Sequence, residues 1–240
     1  FLTSPCGVGG SNNIYRIASP DSGSPGAPTV YSSPGRAVGL NFSPDGTLWT
    51  DPRAESLVRQ GVTTIVVGQD GSSRAPRSAD ASHDDENATQ FSTFTQLWSA
   101  LDRLQPSVNV ASMVGLGTIR GIVVGGNDRP ATADEMARME QLVKGALADG
   151  ACGASSGLEY TPGAFAPLDE LITLCKPLAA RRLPYATHMR NEDDRLIEAI
   201  DEAIAVARGA KCPLQISHLK TQGPHNWSKL DTAFGRVAAA

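Results

Sequence analysis

Residues 183–227 read LPYATHMRNEDDRLIEAIDEAIAVARGAKCPLQISHLKTQGPHNW, and this stretch decides the fold. A short apolar run ends in His188, a helical pattern follows, and a second apolar run ends in His218. Between them Leu196/Ile197, Ile200, Ala203/Ile204 and Ala207 share one helical face, while Glu198, Asp201, Glu202 and Arg208 lie elsewhere. The spacing predicts a helix over 193–208 flanked by strands over 183–187 and 214–217. The histidines stand 30 residues apart, the length of one strand–helix–strand unit. In a parallel sheet both imidazoles would emerge at the carboxyl ends of neighbouring strands, the edge at which α/β proteins place their chemistry. One histidine at a strand end is ordinarily a hydrogen-bonded structural residue. A matched pair in equivalent places points to a shared role.

Upstream the same alternation continues. Asp51-Pro52 suits a helix start, giving a helix over 52–60 with a left-handed cap at Gly61. Residues 62–67 (VTTIVV) form a β-branched run of the kind covered on both faces, and Gly68-Gln69-Asp70-Gly71 follows as a loop. Residues 72–90 are polar and hold His83 beside Asp84, Asp85 and Glu86, which reads as a solvated loop. A helix over 91–104 and a strand over 108–114 come next. Thr132 and Glu135 make a capping-box pattern opening a helix to about 148, closed by Asp149-Gly150. A small-residue strand over 151–156 leads into Gly157-Leu158-Glu159-Tyr160, and a further helix runs over 168–181. One more helix begins near Ser228. The expected architecture is α/β, with about five parallel strands and right-handed helical crossovers. Periodicity alone leaves open an open doubly wound sheet or part of an eight-stranded barrel.

Residues 1–49 differ. They are rich in Gly, Ser and Pro, with short β-favouring pieces that include 37–42 and 47–49, and Ser43-Pro44-Asp45-Gly46 is a turn signal between those two. VGLNFSPDGTLW is similar to a β-propeller hairpin, so 1–49 is expected to be a separate β-rich segment, foreign to the 50–240 domain that follows.

The chain is 40% hydrophobic and 19% charged, with a formal charge of −4. No basic run suggests nucleic acid, and no apolar run reaches the ~18 residues of a membrane span. Cys6, Cys152, Cys175 and Cys212 show no CxxC spacing and read as free, mostly buried thiols, which leans toward a reducing, cytoplasmic setting.

The polar groups at the strand ends are Asp70, Glu159 with Tyr160, His188 with Arg190 and Asn191, and His218 with Lys220. No glycine-rich phosphate fingerprint follows any strand. Two imidazoles with one or two carboxylates suit zinc or a related divalent ion, which acidifies water for attack on an amide or ester carbonyl. Asp70 before Gly71 is also a common turn pair, and Lys220 also fits an ordinary exposed loop.

DPRAESLVRQGVTTIVVGQDGSS, NVASMVGLGTIR, ALADGACGASSGLEYTPGAF, YATHMRNEDDRLIEAIDEA and PLQISHLKTQGPHNW stand in unbroken order over residues 51 to about 235. Together they resemble the D-aminoacylase (N-acyl-D-amino-acid deacylase) branch of the amidohydrolase superfamily. The resemblance implies a (β/α)8 barrel, of which this chain holds part, a site for one or two zinc ions, and hydrolysis of N-acyl-D-amino acids. It assigns His188 and His218 as metal ligands, Lys220 to the substrate carboxylate and Tyr160 to the substrate pocket. Asp70 stands where many members have a metal-binding cysteine. Glu159 replaces an apolar residue and is expected to bridge the metal site, with Arg190 and Asn191 facing the substrate. The family's His-x-His pair has no counterpart, since Leu48-Trp49-Thr50 occupies its place, and Leu116 stands where members often carry histidine. The late aspartate that serves the family as ligand and general base is also missing from these residues. Activity is therefore expected to be impaired. A non-catalytic barrel remnant acting as a binding or scaffold module is the alternative, and a dihydroorotase-like or isoaspartyl-dipeptidase-like enzyme is disfavoured for want of a lysine at the bridging strand end.

Overall fold

A computed structural model describes residues 47–77 and 91–240. Most of the β-rich segment over 1–49, and His83 with its acidic neighbours, lie outside the described residues. Where the segment ends, α1 (Thr47–Thr50) is one helical turn in place of the expected β piece, and it sets Leu48 into the core. The next helix is also shorter than its sequence suggests. α2 spans Glu55–Val58 and is capped at Ala54, because the Asp51 carbonyl accepts from Ala54 N and spends residues 51–54 on a turn. Gly61 has φ 77, so the left-handed residue falls where expected.

The strands form one parallel succession. β1 (Thr64–Val67) pairs with β2 (Asn109–Ser112). Met113 is a bend at which the chain changes neighbours: its N donates to Val67 O, whereas Val114 N donates to Gly153 O. Beyond it β3 (Val114–Gly115) pairs with β4 (Ala154–Gly157), β4 with β5 (Tyr185–His188), and β5 with β6 (Leu214–Ile216). Helices fill each crossover: α3 (Phe94–Leu104), α4 (Leu116–Val123) with α5 (Ala133–Ala148), α6 (Leu168–Cys175) and α7 (Leu196–Ala210), with α8 (Leu230–Ala238) after β6. Ile65, Val110, Val114, Met139, Leu171 and Val206 are among the buried residues that seal helices to sheet. Cys152, Cys175 and Cys212 are buried and join no disulfide among the described residues. Among the described residues no helix is long and apolar enough to cross a membrane.

Three departures from the periodicity have local causes. α4 had no strong pattern because Gly117 and Gly121 interrupt it. The helix expected to reach 181 becomes 3-10 over Lys176–Arg181, since Pro177 has no N–H to continue the α ladder. α7 starts three residues late, because Asn191 Oδ1 accepts from the amides of Asp193 (3.2 Å) and Arg195 (2.7 Å) and holds them in a turn.

The capping box of α5 forms as expected, with Thr132 and Glu135 each accepting from the other's backbone N–H. The Arg129 guanidinium, then the Thr132 amide, pull the Glu135 carboxyl down from 4.5 to about 2. A depressed folded-state pKa stabilises the protein above the unfolded value and ceases to do so as pH falls through the folded one. The stability difference between the unmodified chain and Glu135→Gln is therefore expected to shrink from pH 4.5 toward about 2 in urea melts, and to be flat above pH 5.

Candidate metal centre

The ends of β1, β4, β5 and β6 each bring a candidate side chain, Asp70, Glu159, His188 and His218, to the same rim. After β1 the loop turns inward through Gly68 (φ 75), Asp70 (φ 53) and Gly71 (φ 79). Ser155 of β4 clasps it, donating to Gly68 O at 2.6 Å and accepting from Gly71 N at 3.1 Å. Thr118 N donates to Gly71 O at 2.9 Å, and Ser73 Oγ accepts from Gly115 N at 2.9 Å. Ser73 is buried, so the start of the stretch read as a solvated loop is in fact built into the sheet end. The fit requires glycine: a Cβ on Gly71 would lie 2.6 Å from Gly157 N. Gly71→Ala is expected to cost on the order of 1–3 kcal/mol, from a left-handed alanine and a backbone clash. Denaturant midpoints measure it, and a midpoint equal to that of the unmodified chain would contradict the clasped loop.

His188 closes β5 opposite Gly157 and is buried. His218 lies two residues beyond β6 with φ 35, so it and Asp70 both hold left-handed backbone that is strained for residues other than glycine. The two rings meet edge to face with centroids 4.5 Å apart. His188 Nε2 is 2.8 Å from Glu159 Oε2, and His218 Nε2 is 4.0 Å from Asp70 Oδ1. The four residues expected as ligands therefore converge.

Glu192, four residues past His188, is the member that sequence reading missed. Its side chain is 2% exposed, with Oε1 2.8 Å from His218 Nδ1 and Oε2 3.8 Å from His188 Nε2. Lys220 Nζ reaches both Glu192 Oε2 and, at 3.1 Å, His218 Nδ1. In sequence Glu192 heads the acidic run Glu192-Asp193-Asp194, which reads as a solvated helix start; its spacing from His188 was the available signal. The Asn191 turn and the bond from Gln222 N to Glu192 O (2.8 Å) turn it inward.

The remaining expected residues divide. The Tyr160 ring lies 4.9 Å from the His188 ring and stays exposed at the rim. Desolvation, then the charges of Glu159, Asp70 and Glu192, raise its phenol pKa. Arg190 is engaged elsewhere: its guanidinium donates to Glu202 and to the carbonyls of Ala164 (2.6 Å) and Ala166 (2.8 Å). Asn191 serves its own turn. Both act on the scaffold, where the sequence reading had them facing substrate.

The donor set suits a cation. Donor atoms of Asp70, His188 and His218 lie within 4.8 Å of one another, as do those of Glu159, His188 and Glu192. Zinc bonds of ~2.0–2.2 Å need only a small closure of such a set. Asp70 Oδ1 and Glu192 Oε1 are buried with no hydrogen-bond partner among the described residues. The 2.8 Å approach of His218 Nδ1 to the latter falls outside hydrogen-bond angles. Unpartnered buried carboxylate oxygens are costly. Three carboxylates gather here, Glu159 and Asp70 beside the imidazoles and Glu192 beside Lys220, the one lysine paired at the site among the described residues, and a divalent ion would balance that charge.

No protein-family model matches the chain. Among curated proteins it is 37% identical over 190 residues to a D-aminoacylase of Alcaligenes xylosoxydans xylosoxydans, covering 76% of this chain and 39% of the relative. It is 36% identical over 228 residues to an N-acyl-D-aspartate deacylase of the same organism, covering 90% of this chain and 46% of the relative. This chain is a homologue of the D-aminoacylase amidohydrolases. It spans less than half the length of these relatives. A solved N-acyl-D-glutamate deacylase of Bordetella bronchiseptica is similar at TM-score 0.76 and 32% identity, over 82% of this chain and 43% of that one. That structure holds zinc and a phosphonate inhibitor that mimics the tetrahedral intermediate. The parallel strands of the homologue described here are thus part of a TIM-barrel amidohydrolase fold, and its convergent strand ends lie in a family with metal centres.

Proposed function

We propose that this chain carries the ion-holding part of a hydrolase that cleaves the amide bond of N-acyl-D-amino acids. The observation that supports the reading is the convergence of Asp70, His188 and His218 around buried carboxylate oxygens that lack hydrogen-bond partners among the described residues, in a D-aminoacylase homologue. Asp70, His188 and His218 would hold a zinc ion, with Glu159 on the far side of His188. When bound, such an ion supplies Lewis-acid polarisation of a carbonyl and acidification of water. Lys220, at the solvent side of Glu192, offers an ammonium to the substrate carboxylate, and the Tyr160 ring borders the position of the acyl-amino acid. Arg190 holds these loops in register from behind.

Turnover by the 240-residue chain should nevertheless be low. Leu48-Trp49-Thr50 occupies the place of the family's His-x-His pair, and losing two histidine ligands should cost more than the ~10²–10⁴-fold typical of one acid–base group. An assay of N-acetyl-D-methionine and its L enantiomer with added Zn²⁺ tests both parts. Weak, zinc-dependent, D-selective release of methionine is expected. Robust turnover contradicts the impairment, and preference for the L enantiomer contradicts the substrate class. A binding module without catalysis is the second reading, favoured by the same missing histidines; zinc binding with no turnover at all would select it.

A further inference from the structure

Glu192 is buried to the same degree as core leucines such as Leu97 and Leu183, yet it lies against three polar side chains of the site. Its Oε1 lies 2.8 Å from His218 Nδ1, and its Oε2 meets Lys220 Nζ and lies 3.8 Å from His188 Nε2. Its backbone is fixed from both sides, by the Asn191 turn and by Gln222 N. A carboxylate placed to collect surface charge would not be held at 2% exposure. On the other side of the same imidazole, His218 Nε2 faces Asp70 Oδ1 at 4.0 Å. The His218 ring is thus strung between two carboxylates, one at each nitrogen.

We propose that Glu192 is a positioning residue: its carboxylate orients His218 through Nδ1, presents Nε2 toward Asp70 and His188, and restrains Lys220 at the mouth. The proposal rests on the reading that these side chains hold a divalent ion. An imidazole that ligates through Nε2 must carry its proton on Nδ1, and an acceptor at Nδ1 fixes both tautomer and ring angle. Glu192 Oε1, 2.8 Å from Nδ1 but outside hydrogen-bonding angles and without a partner among the described residues, becomes that acceptor after a small turn of the ring. In this structure Nδ1 accepts from Lys220 Nζ at 3.1 Å; an ammonium only donates and cannot serve an Nδ1–H, so the turn of Nδ1 from Lys220 to Glu192 is the change that ligation through Nε2 would bring. Glu192 therefore decides which of the two ring neighbours the nitrogen answers to. One buried charge would couple ion affinity to the position of the substrate-facing ammonium.

The test is zinc affinity by competition with a chromophoric chelator, together with the ¹⁵N chemical shifts of the His218 ring in the zinc-loaded protein. In Glu192→Gln, zinc affinity is expected to fall roughly 10–100-fold, the usual effect of losing the partner behind a ligating histidine. The His218 ring signals should broaden or split while the melting transition persists. Glu192→Asp should recover part of the affinity. Should Glu192→Gln fail to fold, the double variant Glu192→Gln/Lys220→Met, which leaves no unpaired ammonium, is expected to give the same loss. Zinc affinity and His218 shifts unchanged in these variants would overturn the positioning role while leaving the metal centre standing. No zinc binding by the unmodified chain would overturn the functional reading and this proposal together.

Discussion

Alanine at His188 or His218 is expected to weaken zinc binding by more than the roughly 10–100-fold that loss of an outer partner costs. Each substitution removes one of three donor atoms that lie within 4.8 Å of each other beside Asp70. Calorimetric titration of the purified chain with Zn²⁺ measures it. The variants should differ in their side effects. His188 is buried at the end of β5, so its truncation opens a hole beneath Tyr160 and lowers stability as well as affinity. The His218 side chain is 25% exposed on a loop, so His218→Ala should lose the ion while keeping its melting transition. Equal zinc affinity in either variant and the unmodified chain would show that the imidazoles meet for packing alone.

The second large effect lies away from the site. Arg120 on α4 and Glu170 on α6 form an ion pair with side chains 1% and 3% exposed, and Arg120 Nη2 also donates to Arg129 O. Removing one partner strands the other charge without water, which costs ~3–5 kcal/mol. Arg120→Ala or Glu170→Ala is expected to lower Tm by roughly 6–20 °C, taking about 2–4 °C per kcal/mol for a chain of this size. The double variant Arg120→Met/Glu170→Leu should recover most of the loss, because neither charge is then left unpaired. A thermal melt of the three variants distinguishes this from a simple packing defect, in which the double variant would be the worst of all. Arg120 Nε is itself buried without a hydrogen-bond partner among the described residues, so the native pair is already imperfect.

Much of the site was legible in the chain because strand ends announce themselves. VTTIVV and the run before His188 read as strands, and the polar residues after each stand at a strand end; β5 is buried throughout as expected, whereas in β1 only Ile65 is buried. Asp70, Glu159, His188, His218, Tyr160 and Lys220 follow from that rule. Arg190 and Asn191 obey the same rule yet turn away, since a loop residue's direction depends on its turn and not on its distance from a strand. Glu192 was hidden for the converse reason: an acidic residue ahead of two aspartates looks solvated until Asn191 and Gln222 are seen to fold it inward. Arg120 was likewise invisible, because nothing in LGTIRGIV names the glutamate 50 residues later that accompanies it into the core.

The amino-acid sequence by itself determined the alternation of strand and helix, the parallel direction of the sheet and the two histidines at adjacent strand ends. These depend on periodicity and segment length, which are properties of neighbours along the chain. Tertiary structure alone decided that Asp70 crosses to β4 on the Ser155 clasp, that Glu192 lies between His218 and Lys220, and that Arg190 supports the loops from behind. Those outcomes turn on which buried polar groups find partners across tens of residues, and no local pattern encodes that distance.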